Sequence, residues 1–217
     1  DGRILPCNAV LSMITEAKKW GIKTEIVPFE NREEAASVSG MRICPVRSLP
    51  ETVRFLEGKL CFKDLQTDAE ADRDKAKQAD SGLEVNRDPS NIGSSFDFMD
   101  VRGQEDLIEA IVLGAAGGHN VLMIGEPGCG KTMIAQRIPT ILPGMTEQEA
   151  LEVTKIHSIA GLLAAGGGLI KERPFRAPHH NVSLNALIGG GSYAQPGEVS
   201  LAHNGVLFLD ELAEFSK

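Results

Sequence analysis

Eight residues near the middle of the chain have the types and spacing to hold a phosphate chain. Gly125-Glu126-Pro127-Gly128-Cys129-Gly130-Lys131-Thr132 fits the pattern G-x-x-x-x-G-K-[ST]. Glycines let the backbone bend so that its N–H groups point inward at phosphate oxygens, and a helix starting near Gly130 adds its positive end. Lys131 supplies a point charge for the outer phosphates and Thr132 a hydroxyl for Mg²⁺; Met133 follows them in the expected binding set. A second cluster lies far downstream, where Val206-Leu207-Phe208-Leu209 runs into Asp210-Glu211. Read as a buried strand, this run puts two carboxylates at its C-terminal tip, where open α/β sheets bind ligands. Asp210 is expected to hold Mg²⁺, mostly through water. Glu211 is expected to orient and polarise an attacking water as general base. Thr132 and Asp210 are then the metal pair, and Lys131 and Glu211 the catalytic pair. Cys129 sits at the same helix start beside Lys131, a setting that favours thiolate.

The elements that position these groups follow from periodicity and punctuation. An apolar run, Val121-Leu122-Met123-Ile124, precedes the glycine-rich loop, so Asn120 to Gly125 reads as a buried strand and Gly130 to Ile138 as a helix closed by Pro139. Leu107, Ile108, Ile111, Val112 and Ala115 mark an amphipathic helix upstream. Thr146 with Glu149 three residues on predicts a capping box, opening a helix to about Ile159. A stretch rich in glycine follows (Gly161, Gly166, Gly167, Gly168). Nearer the N-terminus, Val10, Met13, Ile14, Ala17 and Trp20 fall at helical spacing, ended by Gly21. Thr24 to Val27 reads as a strand stopped by Pro28, and Asn31 as the cap of a helix to about Val38, with Glu33 and Glu34 in its first turn. Met41 to Val46 is a second strand and Pro50 to Leu56 a third helix. This order favours a small parallel α/β layer, thin as a free-standing core.

Composition restricts the partners. Of 217 residues, 42% are apolar and 24% charged, with a net charge of -8, so nothing in the overall charge advertises nucleic acid; such binding would need local basic loops or assembly of subunits. Residues 64 to 100 hold ten acids against four bases. A charged, aromatic-poor stretch cannot bury enough surface to fold, so 64–95 is expected to be a flexible acidic linker. No apolar run approaches a membrane span, and no signal peptide is visible at the opening Asp1-Gly2-Arg3. The four cysteines form no C-x-x-C pair, which argues against zinc and for reduced thiols in a cytoplasm. His179 and His180 are adjacent and on a strand would face opposite ways, which argues against a shared metal; His157 and His203 lack ligand-spaced partners. Arg173 and Arg176 flank Phe175 and could touch DNA, a neighbouring subunit, or only their own domain. Tyr193 could stack on a base from a hairpin tip.

Several segments carry a resemblance. Ser95-Phe96-Asp97-Phe98-Met99-Asp100-Val101-Arg102-Gly103-Gln104 resembles the opening of AAA+ ATPase domains, which implies that Val101 and Gly103 contact the adenine of ATP. Arg173-Pro174-Phe175-Arg176-Ala177-Pro178-His179-His180 and Gln195-Pro196-Gly197-Glu198-Val199-Ser200-Leu201-Ala202-His203-Asn204-Gly205 look like the magnesium-chelatase-type branch of AAA+ proteins. Asn185 to Glu198, with Gly189-Gly190-Gly191, would hold that branch's hairpin inserted into helix 2. Gly2-Arg3-Ile4-Leu5-Pro6, Ala17 to Lys23 and Ile26 to Asn31 resemble the end of a Lon-protease-like domain. The combination is similar to the ComM/YifB family over residues 1 to about 60 and 96 to 217.

The resemblance implies an α/β fold: a P-loop AAA+ core of parallel sheet with helices on both faces, preceded by a small Lon-like (S5-like) domain fragment. The implied division is 1–63 Lon-like, 64–95 linker and 96–217 ATPase. It further implies ATP and Mg²⁺ as cofactors, a ring oligomer (a hexamer), a cytoplasmic location with no membrane partner, and motor action on branched DNA. A magnesium chelatase motor subunit and a nucleotide-gated chaperone or assembly module are the alternatives. Leu11 stands where Lon proteases have their catalytic lysine, so proteolysis is not expected. The family's lid, sensors and arginine finger would follow Lys217, so this stretch alone is expected to bind nucleotide weakly and hydrolyse it poorly.

Overall fold

The computed structural model describes residues 2–60, 96–163, 167–191 and 194–215. The expected linker 64–95, Gly166 and Tyr193 lie outside them. The chain divides into two compact units: Asp1–Val85 with Thr154–Leu169, and Asn86–Val153 with Ile170–Lys217. Residues 154–169, which the sequence reading placed with the ATPase part, thus group with the N-terminal residues.

In the first unit, α1 (Val10–Lys19), β1 (Thr24–Pro28), α2 (Arg32–Ala36), β2 (Arg42–Val46) and α3 (Leu49–Leu56) follow in the expected order. β1 and β2 pair in parallel from Thr24↔Arg42 to Pro28↔Val46. Cys44 and Val46 form a core with Ile4, Ile26, Phe55 and Leu60. Burial holds the Cys44 thiol above its ordinary range. The face that α1 buries is Val10, Leu11, Ile14 and Ala17; Met13 and Trp20 point to solvent. The expected stripe was therefore turned by one position, because Leu11 packs inward and its N–H donates to Glu34 Oε1 at 3.0 Å.

Glu34 explains a second departure. Asn31 caps no helix with its side chain. A 3-10 turn, Phe29–Asn31, precedes α2, and the amide is used elsewhere: Nδ2 donates to Cys7 O at 2.9 Å and to Glu34 Oε2 at 3.0 Å, while Oδ1 accepts from Cys7 N at 3.1 Å. The Ser158 hydroxyl also donates to Glu34 Oε1, and accepts from Ala9 N at 2.9 Å. A buried carboxylate must find donors, and Glu34 finds three.

The second unit opens with a 3-10 turn, Phe98–Asp100, closed by a capping box between Asp97 and Asp100. Then come α4 (Glu105–Ala116), α5 (Lys131–Ala135), α6 (Glu147–Ile159), β3 (Phe175–Arg176), α7 (Leu184–Ile188), β4 (Gly189–Gly190), β5 (Gln195–Pro196), α8 (Glu198–Leu201) and β6 (Val206–Leu207); α6 belongs to this unit only as far as Val153. The core gathers Phe98, Val101, Ile111 and Ile134, with Leu107, Ile108, Met123, Ile138 and Ile141 against it. β3 and β6 are parallel, Phe175↔Val206 and Arg176↔Leu207. The Thr146–Glu149 capping box forms, with Glu149 N donating to Thr146 Oγ1 at 3.2 Å and Thr146 N to Glu149 Oε2 at 2.8 Å.

Three expected elements of this unit differ. Residues 120–125 are not a strand and are largely exposed, with Leu122 74% and Ile124 90% accessible. Apolar character alone does not make a strand; it needs a ladder partner, and no strand among the described residues pairs with this run. The helix after the glycine-rich loop stops at Ala135, and Pro139 falls inside a separate 3-10 turn, Ile138–Ile141. β6 is only half-buried and ends at Leu207, although Phe208 N still donates to Arg176 O at 2.8 Å. Among the described residues no helix is long and apolar enough to cross a membrane.

Candidate functional site

The glycine-rich loop is built where sequence reading placed it. Gly128 and Gly130 have φ of +81° and +89°, a region that only glycine enters at little cost, and Gly130 is the residue from which α5 starts. Lys131 curls back over the loop. Its Nζ donates to Gly125 O and Glu126 O, each at 2.8 Å, and lies 3.5 Å from the exposed Cys129 Sγ. Two carbonyls and a thiol thus gather around the ammonium. Met133 is part-exposed on the next turn, its methyl 3.6 Å from where a side chain on Gly130 would begin. The floor beneath is Ile134, fully buried in the core.

Across 78 residues of chain, Thr132 Oγ1 meets Asp210 Oδ2 at 3.2 Å. Asp210 Oδ1 accepts from Glu211 N at 3.0 Å. β6 and its continuation through Phe208 bring the acid pair to this place; Phe208 stacks on Phe175 with ring centroids 6.3 Å apart. Gly205 makes the approach possible, since a Cβ there would lie 2.0 Å from Pro174 O. Glu211 itself takes φ +52°, and its Oε2 lies 3.0 Å from His180 Nδ1. A cleft of about 440 Å³ opens beside this pair, lined by His180, Glu211, Leu212, Ala213 and Glu214.

Other expected residues are placed differently. The Val101 side chain is in the core and its N–H donates to Phe98 O at 3.1 Å; Gly103 has φ +69° and open space around it. Arg173 is consumed inside the unit: Nε donates to Pro143 O and Nη1 to Asn204 O, both at 2.6 Å. Arg176 makes a two-point pair with Glu198 at 2.6 and 2.8 Å. These interactions favour packing over nucleic-acid contact for both arginines. His203 is 3.2 Å from Glu152, and that hydrogen bond holds the Glu152 carboxyl below its usual range. His179 and His180 are not on a strand facing apart; their rings lie 4.1 Å between centroids.

Sequence reasoning missed two neighbours of the site. Arg137, nearly buried on the turn after α5, lies over the Phe96 ring at 4.5 Å and donates to Met133 O at 2.9 Å. It ties the opening segment to the helix after the glycine-rich loop, and no local pattern announces it. His180 was set aside because neighbouring histidines on a strand would face opposite ways; its partner, Glu211, comes from a distant part of the chain. Among the described residues no three His, Cys, Asp or Glu side chains converge as a metal site. The oxygen donors at hand are one hydroxyl and one carboxylate, a set that suits Mg²⁺ sharing its shell with water and phosphate.

The hairpin is present. β4 and β5 pair antiparallel, Gly189↔Pro196 and Gly190↔Gln195, between α7 and α8, in the stretch where the resemblance implied a hairpin.

Comparison with known proteins identifies the family. The profile of the family described as magnesium chelatase, subunit ChlI, matches residues 97–217. An uncharacterized Escherichia coli protein, YifB, is 41% identical over 216 residues, covering all of this chain and 38% of its own length. Competence protein ComM of Haemophilus influenzae is 38% identical over 216 residues, with 39% of its length covered. An archaeal Lon protease from Methanothermobacter thermautotrophicus is 39% identical over 70 residues, which is 30% of this chain and 11% of that protein. The chain thus spans under two fifths of the length of YifB and ComM. With the glycine-rich loop, the acid pair and the inserted hairpin all inside the matched region, the chain belongs to the magnesium chelatase ChlI family, in its ComM/YifB branch.

Proposed function

We propose that this chain is the nucleotide-gripping part of an AAA+ ATPase that uses ATP and Mg²⁺ to remodel or move along DNA. The observation that carries this reading is the 3.2 Å contact between Thr132 and Asp210. Two groups from separate sequence motifs, each suited to a hard cation, meet in space. A bound Mg²⁺ would neutralise charge developing on the outer phosphates. Thr132 and Asp210 would hold it, in place of their present contact with one another. The loop N–H groups of 125–132 would cradle the phosphates, and Lys131 would exchange the carbonyls of Gly125 and Glu126 for phosphate oxygen. Glu211 would accept the proton of the attacking water. Residues 1–63 are, on this reading, the C-terminal part of a Lon-like domain without peptidase chemistry, since buried Leu11 takes the place of the lysine.

The remaining parts of the proposal concern the whole protein. Assembly into a ring, a cytoplasmic location and DNA as the polymer follow the ComM/YifB resemblance. The test is the ATPase rate of the whole protein, with and without forked DNA, beside Lys131→Ala. Stimulation by DNA that vanishes in the variant is the expected result. A basal rate indifferent to DNA would remove the DNA partner and keep the ATPase; no Lys131-dependent turnover under any condition would remove both.

A further inference from the structure

Segment 96–103 and the helix after the glycine-rich loop are far apart in sequence and fastened together in space. Phe98 and Val101 are buried against Ile134, two residues beyond Thr132. Phe98 N donates to Thr140 Oγ1 at 3.1 Å, and that hydroxyl donates to Arg137 O at 2.7 Å. Arg137 reaches both sides. Its Nη1 donates to Met133 O at 2.9 Å, and its guanidinium lies 4.5 Å over the centre of the Phe96 ring. Its Nε is 3.8 Å from Asp100 Oδ2, an oxygen that already accepts from Asp97 N at 3.1 Å. Arg137 is only 9% exposed, and Nε is buried with no hydrogen-bond partner among the described residues. A buried donor left unpaired costs stability, and an apolar side chain of similar volume would fill the space without that loss. What the guanidinium holds, rather than the space it fills, accounts for an arginine here.

We infer that Arg137 is a positioning residue that holds segment 96–103 beside the helix bearing Lys131 and Thr132, so that the site selects a whole nucleotide over a bare phosphate chain. The inference rests on the ATP reading proposed above, with loop 125–132 taking the phosphates and the segment at Val101 and Gly103 taking the base. A phosphate chain needs only the loop. A nucleotide needs the loop and the segment at a fixed spacing. With Arg137 in place, that spacing is set before the ligand arrives. Without the guanidinium, the bridge between Phe96 and Met133 is gone. The segment must then be ordered at the moment of binding, and only a ligand that reaches it bears that loss.

The experiment measures binding of ATP and of inorganic triphosphate, each with Mg²⁺, to the whole protein and four variants: Arg137→Met, Arg137→Lys, Phe96→Leu and Lys131→Ala. Methionine keeps an apolar stem in the buried place without the cation; lysine restores a cation but not the planar fork. A cation lying on a ring at a largely buried site corresponds to about threefold to thirtyfold in affinity. The expected result is a dissociation constant for ATP raised by about that factor in Arg137→Met and Phe96→Leu. That for inorganic triphosphate moves less than about twofold on the same scale. Arg137→Lys falls between wild type and Arg137→Met for ATP. Two results in a cooperatively melting Arg137→Met overturn the inference: no loss for ATP, or an equal loss for both ligands, since the arginine then only supports the fold. If Arg137→Met is unfolded, Phe96→Leu decides alone, because that ring is only half-buried. Lys131→Ala separates the two readings. Binding of both ligands unchanged in it sinks the ATP site and this inference together. Binding of both weakened in it, with the Arg137 and Phe96 variants keeping the wild-type ratio of ATP to triphosphate affinity, sinks this inference only.

Discussion

At the scale of single residues, the site is a set of charges held by backbone. Lys131 sits on two carbonyls of the glycine-rich loop at 2.8 Å, which on the proposed reading it would exchange for phosphate oxygen. Lys131→Ala is expected to weaken ATP binding, with a ceiling of about 4 kcal/mol for a charge pair at roughly 4 Å and an effective dielectric of about 20. Calorimetric titration with ATP and Mg²⁺ measures it; affinity equal to wild type would overturn the assignment of the loop. Cys129 lies under the same ammonium, 3.5 Å away, and is exposed. An exposed thiol in such a place is open to alkylation, and an adduct there would crowd the glycine-rich loop. Iodoacetamide is therefore expected to label Cys129 and abolish nucleotide binding, and saturating ATP to slow the labelling at least about threefold. Equal labelling rates with and without ATP would show that nucleotide does not cover this loop.

At the scale of elements, local chemistry decides which parts were legible. The start of α6 was readable because both halves of its capping box lie within four residues, and both bonds form. The glycine-rich loop was readable for the same reason: its backbone demands are met within eight residues. Asn31 was misread because a cap is a local rule, and Cys7, 24 residues away, competes for the same amide. The run 121–124 was misread because strand formation depends on partners that a hydrophobic pattern does not name. His180 and Arg137 could not be read as site neighbours, since only the folded chain brings their partners close. A prediction at this scale concerns the cap. Thr146→Ala removes the acceptor for Glu149 N and is expected to cost about 1 kcal/mol in denaturant unfolding. The Glu149 carboxyl is held below its ordinary range, chiefly by the hydrogen bond from Thr146 N and then by the Thr146 hydroxyl. A depressed carboxyl stabilises the fold above its unfolded pKa, and that contribution disappears as pH falls through the lower folded value. Glu149→Gln should therefore destabilise at pH 7 and become indistinguishable from wild type in strong acid; a difference that persists there would mean the side chain acts through packing.

Element packing also fixes the hairpin. A Cβ on Gly197 would lie 2.3 Å from Gly189 N and 2.5 Å from Ile188 C. Those neighbours are backbone and cannot swing aside. Gly197→Ala is therefore expected to separate β4 from β5 and to lower the unfolding midpoint, whereas Gly190→Ala, with φ +127° but no atom within 4 Å, should cost only backbone strain. Proteolysis within 189–197 reads the difference: faster cleavage in Gly197→Ala than in Gly190→Ala is the expected order, and the reverse order would mean that the close approach is not what holds the hairpin.

At the scale of the whole chain, surface matters more than core. The apolar run before the phosphate loop exposes Val121, Leu122 and Ile124, and Leu113 on α4 is exposed as well. Unpaired backbone next to apolar side chains is a template for another chain. A net charge of -8 opposes association only at long range, and salt screens it within about 10 Å at 0.1 M. The polypeptide of these 217 residues is thus expected to self-associate at tens of micromolar and to bind a hydrophobic dye, more strongly as salt rises. Replacing Leu122 and Ile124 together by lysine should reverse both effects, since charged edges resist pairing. Light scattering after gel filtration measures the mass directly. A salt-independent monomer in the wild-type chain would mean that the exposed run is not adhesive. Association unchanged in the double lysine variant would move the adhesive surface to the first unit, where Trp20 and Leu56 stand 79% and 70% accessible.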